Sequence, residues 1–132
     1  MQRVVVETAG WIRTGTGADA VEVSLTYDPA DPYAVAVRVH AEESAATWTF
    51  ARDLLADGLR SMVPLGDGAV RVQATSVLTE ISRTDDSGGV TVLRLPWWNT
   101  REFVRLSQSL VARGEEVVDV DSWLEALTGQ EG

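Results

Sequence analysis

The chain has 132 residues, 45% of them hydrophobic, no cysteine, only arginine as its basic residue type, and a net charge of −9. That length suits one domain spanning residues 1–132, and the apolar share argues for a folded, globular chain. Without cysteine there are no disulfides, thiolate metal sites or cysteine nucleophiles; without lysine there is no P-loop lysine or Schiff base; the acidic balance disfavours nucleic acid and membranes at long range, a local arginine patch excepted.

Residues Arg3 to Arg13 read as the first strand, with Val4, Val6, Thr8 and Ile12 on one face and Val5, Ala9 and Trp11 on the other. Both faces are largely apolar, so this strand is expected to be covered on both sides or to lie at a subunit contact. Thr14 to Ala20 is a turn. Val21, Val23, Leu25 and Tyr27 then alternate with Glu22, Ser24 and Thr26, a half-buried second strand. Asp28-Pro29 and Asp31-Pro32 stop it, because proline fixes φ and has no N–H to give. In Ala34 to Ala41, Val35, Val37 and Val39 share a face, and Thr47 to Phe50 alternates again after a polar connection at Glu42 to Ser44.

The period changes at Phe50. Phe50, Leu54 and Leu55 share a helical face, with Gly58 expected as a left-handed C′ residue and Leu59 folding back on Leu54. Pro64 to Gly68 is a turn. Three strands follow, around Val70–Val72, Ser76–Arg83 and Val90–Leu95, with a polar loop at Asp85–Gly89 and a stop at Pro96. Asn99 is then expected to cap the longest helix, with Glu102 completing a capping box and Trp98 stapled onto Phe103. Phe103, Leu106 and Leu110 line its apolar stripe, and Gly114 is the expected C′. A last short helix is expected near Ser122, with Glu125 at N3 and Gly129 after it. Four strands, a short helix, three or four strands, a longer C-terminal helix and a last short helix predict an α+β fold built on antiparallel sheets.

YDPADPYAV from Tyr27, TWTFARDLLADGL from Thr47 and GDGAVRVQ from Gly66 resemble the SsgA-like proteins of actinomycetes, the SsgB branch most closely. The resemblance runs in order from about Val21 to Gln73 and returns weakly at VVDVDSWLEAL. From Leu95 to Ala112 the chain departs, with LPWWNTREFVRLSQ where the family has an alanine-rich helix. The resemblance implies a Whirly-like arrangement and self-association as a homotrimer. It also implies a role in sporulation and septation with FtsZ as partner, an SsgA-type paralogue as another, and a place in the cytoplasm at division septa. It implies no enzyme activity and no cofactor.

Nothing in the residues assembles a catalytic site. The one histidine, His40, lies in a strand, and no G-x-S-x-G elbow accompanies it. Glu42/Glu43, Asp85/Asp86, Glu115/Glu116 and Asp119/Asp121 lack EF-hand spacing and read as solvated loops. Gly15-Thr16-Gly17 reads as a plain turn. The N-terminus has too short an apolar run for a signal peptide, and no run reaches the roughly 20 residues of a membrane span. Trp48 reads as core. Trp11, Trp97 and Trp98 are the candidate partner or subunit contacts, since exposed tryptophan is enriched in binding hot spots. Arg13, Arg38, Arg71 and Arg94 are the candidate contacts of an alternative reading, a single-strand nucleic-acid-binding module.

Overall fold

The computed structural model describes residues 2–15, 17–41, 45–66 and 68–117. The strands are β1 (Val4–Thr14), β2 (Gly17–Tyr27), β3 (Ala34–His40), β4 (Ala45–Ala51), β5 (Val70–Ala74), β6 (Leu78–Thr84) and β7 (Val90–Pro96); the helices are α1 (Arg52–Gly58), after β4, and α2 (Trp97–Leu110), after β7. The expected order of elements holds throughout residues 4–110. The expected helix near Ser122 lies outside the described residues, as do Glu42, Glu43, Asp119 and Asp121.

The strands form one antiparallel sheet in the order β4-β3-β2-β1-β7-β6-β5. β1 pairs along its whole length with β2, from Val4↔Tyr27 to Thr14↔Gly17, but with β7 only from Trp11↔Arg94 to Thr14↔Thr91. It therefore joins a four-strand half to a three-strand half. The strand period decides which residues go inside: Val23, Leu25 and Tyr27 of β2, Val35, Val37 and Val39 of β3, Trp48 and Phe50 of β4. Val72, Ile81, Leu93 and Leu95 continue this layer across the other half, and Leu55, Leu59, Phe103 and Val104 close it from the helices. Full burial of Phe103 alone is worth about 2–3 kcal/mol.

Three local expectations are corrected. Gly58 is not left-handed; Leu59 continues in the right-handed region, with its N–H on the Leu55 carbonyl at 3.1 Å. Gly58 is buried instead against β5, where an added Cβ would lie 2.5 Å from the Val72 Cβ. Asn99 does not cap α2. The helix follows β7 without a loop from Pro96, whose carbonyl accepts the Thr100 hydroxyl at 3.0 Å, while Asn99 Nδ2 donates to Thr8 Oγ1 at 2.9 Å. Glu102 binds Arg105 rather than completing a capping box. The helix ends at Leu110, so Gly114 is no C′ residue; its φ of 86° serves the next turn, closed by Glu115 N–H to the Ala112 carbonyl at 3.0 Å.

Candidate docking surfaces

Both helices lie on the same side of the sheet, α1 against β4 and β5, α2 against β1, β2, β6 and β7. No described element covers the other side. Residues there alternate with the core residues: Val5, Glu7, Ala9, Trp11 and Arg13 on β1, Arg38 and His40 on β3, Arg94 on β7. β1, expected to be covered on both sides or to lie at a subunit contact, is covered on the helix side alone among the described residues, with Trp11 45% exposed and Val5 50% exposed on the other side.

Arg13, Arg38, Arg71 and Arg94 all fall on this open face, one each on β1, β3, β5 and β7. Arg13 stands in a row with Val92, Ser82 and Arg71, and Arg94 is the cross-strand partner of Trp11. The fold does not gather them into a track. From β3 to β5 is five strand spacings, roughly 24 Å, and acids interleave them. Glu80 lies 3.7 Å from Arg94, and Ser24, opposite Arg38, binds Glu7.

His40 comes to rest beside a serine and a carboxylate. Ser24 Oγ donates to Glu7 Oε2 at 2.9 Å and lies 2.8 Å from His40 Nε2. A carboxylate has no hydrogen to give, so the serine's only hydrogen goes to Glu7, and His40 is left to donate to Ser24. That order is opposite to an activated nucleophile, in which the imidazole accepts the hydroxyl proton. His40 also borders an open depression of about 920 Å³ with Asp19 and Glu22, yet no group of three His, Cys, Asp or Glu among the described residues is placed to hold a metal ion. Asp85 is committed to its own turn: its Oδ1 accepts Ser87 Oγ at 2.7 Å and Gly89 N–H at 2.8 Å, which hold the carboxyl below its ordinary value.

Trp97 turns inward, its indole N–H donating to the Leu59 carbonyl at 2.9 Å; Trp98, expected to staple onto Phe103, is 69% exposed. Their rings meet edge to face at 5.2 Å, and the Arg101 guanidinium lies 5.7 Å from the Trp97 ring and 5.5 Å from the Trp98 ring. Trp97 and Trp98 stand at the start of α2, on the helix side. Trp11 is on the opposite side, so these candidates belong to two separate surfaces.

One residue of the Trp-x-Phe-Ala-Arg-Asp run had no role assigned from sequence. Arg52 is 1% exposed. Its Nη1 donates to the carbonyls of Ser107 at 3.1 Å and Val111 at 2.7 Å, its Nη2 pairs with Glu116 at 2.7 Å, and its guanidinium lies 4.7 Å from the Tyr27 ring centre. The first residue of α1 thus binds two carbonyls at the end of α2: that of Ser107, which also accepts the Val111 N–H, and that of Val111, just past the last helical residue. Arg113 adds a second tie, binding Asp57 through both nitrogens of its fork at 2.7 and 3.0 Å. The charge of that fork, foremost by direct hydrogen bonding, holds the Asp57 carboxyl below its ordinary value. These contacts position the scaffold.

The profile described as "Streptomyces sporulation and cell division protein, SsgA" matches residues 21–116. The sporulation-specific cell division protein SsgB of Salinispora tropica is 40% identical over 116 residues, covering 81% of this chain and 79% of that protein. SsgB of Frankia casuarinae is 36% identical over 115 residues, covering 81% and 78%. A solved structure of SsgB, from work on longitudinal cell division during sporulation of Streptomyces coelicolor, superposes with a TM-score of 0.78 at 31% identity, covering 87% of this chain and 93% of that one. An SsgA-like protein from Thermobifida fusca shares the fold, with a TM-score of 0.81 at 22% identity over 95% of each chain. With its antiparallel sheet, its two helices and these relatives, the chain belongs to the SsgA family of sporulation and cell division proteins.

Proposed function

We propose that this chain is a non-catalytic, sporulation-specific division protein that helps position or promote the FtsZ ring during septation, acting as an oligomeric docking scaffold in the cytoplasm at division septa. The observation that carries the reading is the uncovered sheet face. A seven-stranded sheet with one side bare among the described residues, and Trp11 near its middle, is suited to being gripped. In this reading residues 1–132 form one domain of Whirly-like type, the protein self-associates as a homotrimer, and an SsgA-type paralogue is a further partner. The committed hydroxyl of Ser24 supports the absence of catalysis.

The test is FtsZ assembly followed by light scattering and pelleting, with and without the protein, alongside septum counts after depletion. Altered assembly or displaced rings is the expected result. FtsZ that neither binds nor changes its assembly or localisation removes the division reading.

The four arginines sharing a face with Trp11 favour one alternative, a single-strand nucleic-acid-binding module. It requires oligonucleotide binding that weakens steeply with salt. No anisotropy change with labelled oligonucleotides at low salt is the result expected here.

A further inference from the structure

Where the C-terminal end of α1 meets the N-terminal end of α2, two adjoining hollows of about 370 and 170 Å³ share Leu59, Arg60 and Trp97. Buried Leu59, Ala74 and Val104 contribute to their walls. Met62, 89% exposed, lines the larger hollow, and exposed Trp98 sits beside Trp97. Val77, also exposed, adjoins them, its carbonyl accepting the Trp97 N–H at 2.9 Å.

The charge of this trough is the reverse of the chain's. The whole sequence carries 11 arginines against 20 acids. The smaller hollow is walled by Arg60, Arg101 and Arg113, with Asp57 its one carboxylate, and the fork of Arg113 holds Asp57. Among the described residues, no carboxylate forms an ion pair with Arg60 or Arg101. Two exposed guanidiniums therefore flank an apolar floor, one of them resting on a pair of indoles.

We propose that this trough docks a partner segment combining carboxylates with large apolar side chains. The floor removes apolar side chains from water, and the two guanidiniums receive carboxylates in their planar forks. Tryptophan and arginine beside a desolvated floor are the residue types that dominate binding energy at protein interfaces. A nucleic acid fits less well, since the chain is acidic overall and the floor is built from Leu59, Ala74 and Val104. A two-fold contact with a second copy over this patch sets arginine against arginine. The inference rests on the docking reading above, but not on FtsZ being the occupant.

The test is fluorescence anisotropy with a labelled short peptide of Asp, Glu, Leu and Phe. Controls replace Leu and Phe by Ser, or Asp and Glu by Lys, and a labelled oligonucleotide is a further arm. The acidic-apolar peptide is expected to bind, both control peptides to bind at least roughly tenfold more weakly, and Arg60→Glu/Arg101→Glu to weaken binding by a similar factor. The charge-reversed variant, checked for an unchanged circular dichroism spectrum, is expected to prefer the lysine peptide. Trp98→Ala, at an exposed ring, supplies a second variant that leaves the core intact. Absence of peptide binding, preference for the oligonucleotide, or binding indifferent to both variants overturns the proposal. FtsZ pelleting with the same proteins separates the two readings. An intact FtsZ effect with no peptide binding sinks only the trough, and peptide binding with no FtsZ effect sinks only the ring.

Discussion

Alanine at Gly58 is expected to destabilise the protein even though alanine is the better helix former. Gly58 closes α1. In an exposed helix the exchange gains about 1 kcal/mol. Here the new methyl would lie 2.3 Å from Val72 Cγ1, 2.5 Å from Val72 Cβ and 3.1 Å from the Val72 carbonyl carbon. Ordinary contact needs roughly 3.5–4 Å between carbons, so more than an ångström must be recovered. Val72 cannot give it. Its β-branched side chain is stiff about χ1, it is fully buried, and its backbone is tied to Leu65 by two hydrogen bonds of 2.9 and 3.0 Å. The helix must lift from β5, and overpacking of that kind costs about 1–3 kcal/mol. The steric term sits at the upper end of that range, because the clash involves a Cβ and a main-chain atom, so a net loss of about 2 kcal/mol is expected after the propensity gain. At roughly 4 °C per kcal/mol for a chain of this size, Tm falls by about 8 °C. Urea denaturation and thermal scans measure it. Two companions sharpen the test. Asparagine, which tolerates left-handed backbone, should be worse than alanine because it is larger. Val72→Ala should cost less in the Gly58→Ala background than alone, with a coupling of about 1 kcal/mol. Gly58→Ala as stable as the parent, or asparagine better tolerated than alanine, refutes the packing argument and restores a conformational one.

Arg52→Met is expected to cost about 3 kcal/mol in urea denaturation, since it strips partners from the carbonyls of Ser107 and Val111 and leaves the Glu116 charge without its mate. Hydrogen exchange should show the loss first at the end of α2. Stability should also fall in acid. The Arg52 hydrogen bond holds Glu116 below its ordinary 4.5, and the Arg113 fork holds Asp57 below its ordinary 3.8. Depressed folded values mean that the unfolded state takes up protons more readily, so this stabilisation is complete above the unfolded values and disappears as pH drops through the folded ones. Tm should be level near neutrality, then decline below about pH 4.5, and Asp57→Asn should flatten part of the decline. At the alkaline end, burial raises the Tyr27 hydroxyl above its ordinary 10.0, so stability should be lost above that pH.

Much of the fold was legible because its causes are local. Val35, Val37 and Val39 go inside because a strand alternates, and Asp28-Pro29 ends β2 because proline cannot donate to the ladder. Those causes act within a few residues. The misreadings share a different character. Asn99 resembles a cap, but whether its amide caps depends on where α2 begins, and that follows from β7 running straight into the helix. Trp97 and Trp98 are adjacent and chemically alike. Which one turns inward depends on the Leu59 carbonyl, 38 residues away in sequence. Arg52 stood in plain view within its motif, but no rule of spacing links it to the carbonyls of Ser107 and Val111.

The strands, the helices, the lack of a cysteine or lysine chemistry and the family were all determined by residue order, since period, turn chemistry and motif each live on a short stretch of chain. Tertiary structure alone decided that β1 pairs with β7, that both helices share one side of the sheet, and that four arginines face the other. It also decided that Gly58 is there for Val72 and that Arg60 and Arg101 stand over an apolar floor. The physical reason is that these are relations between side chains brought together only when distant segments pack, and packing is a property of the whole chain.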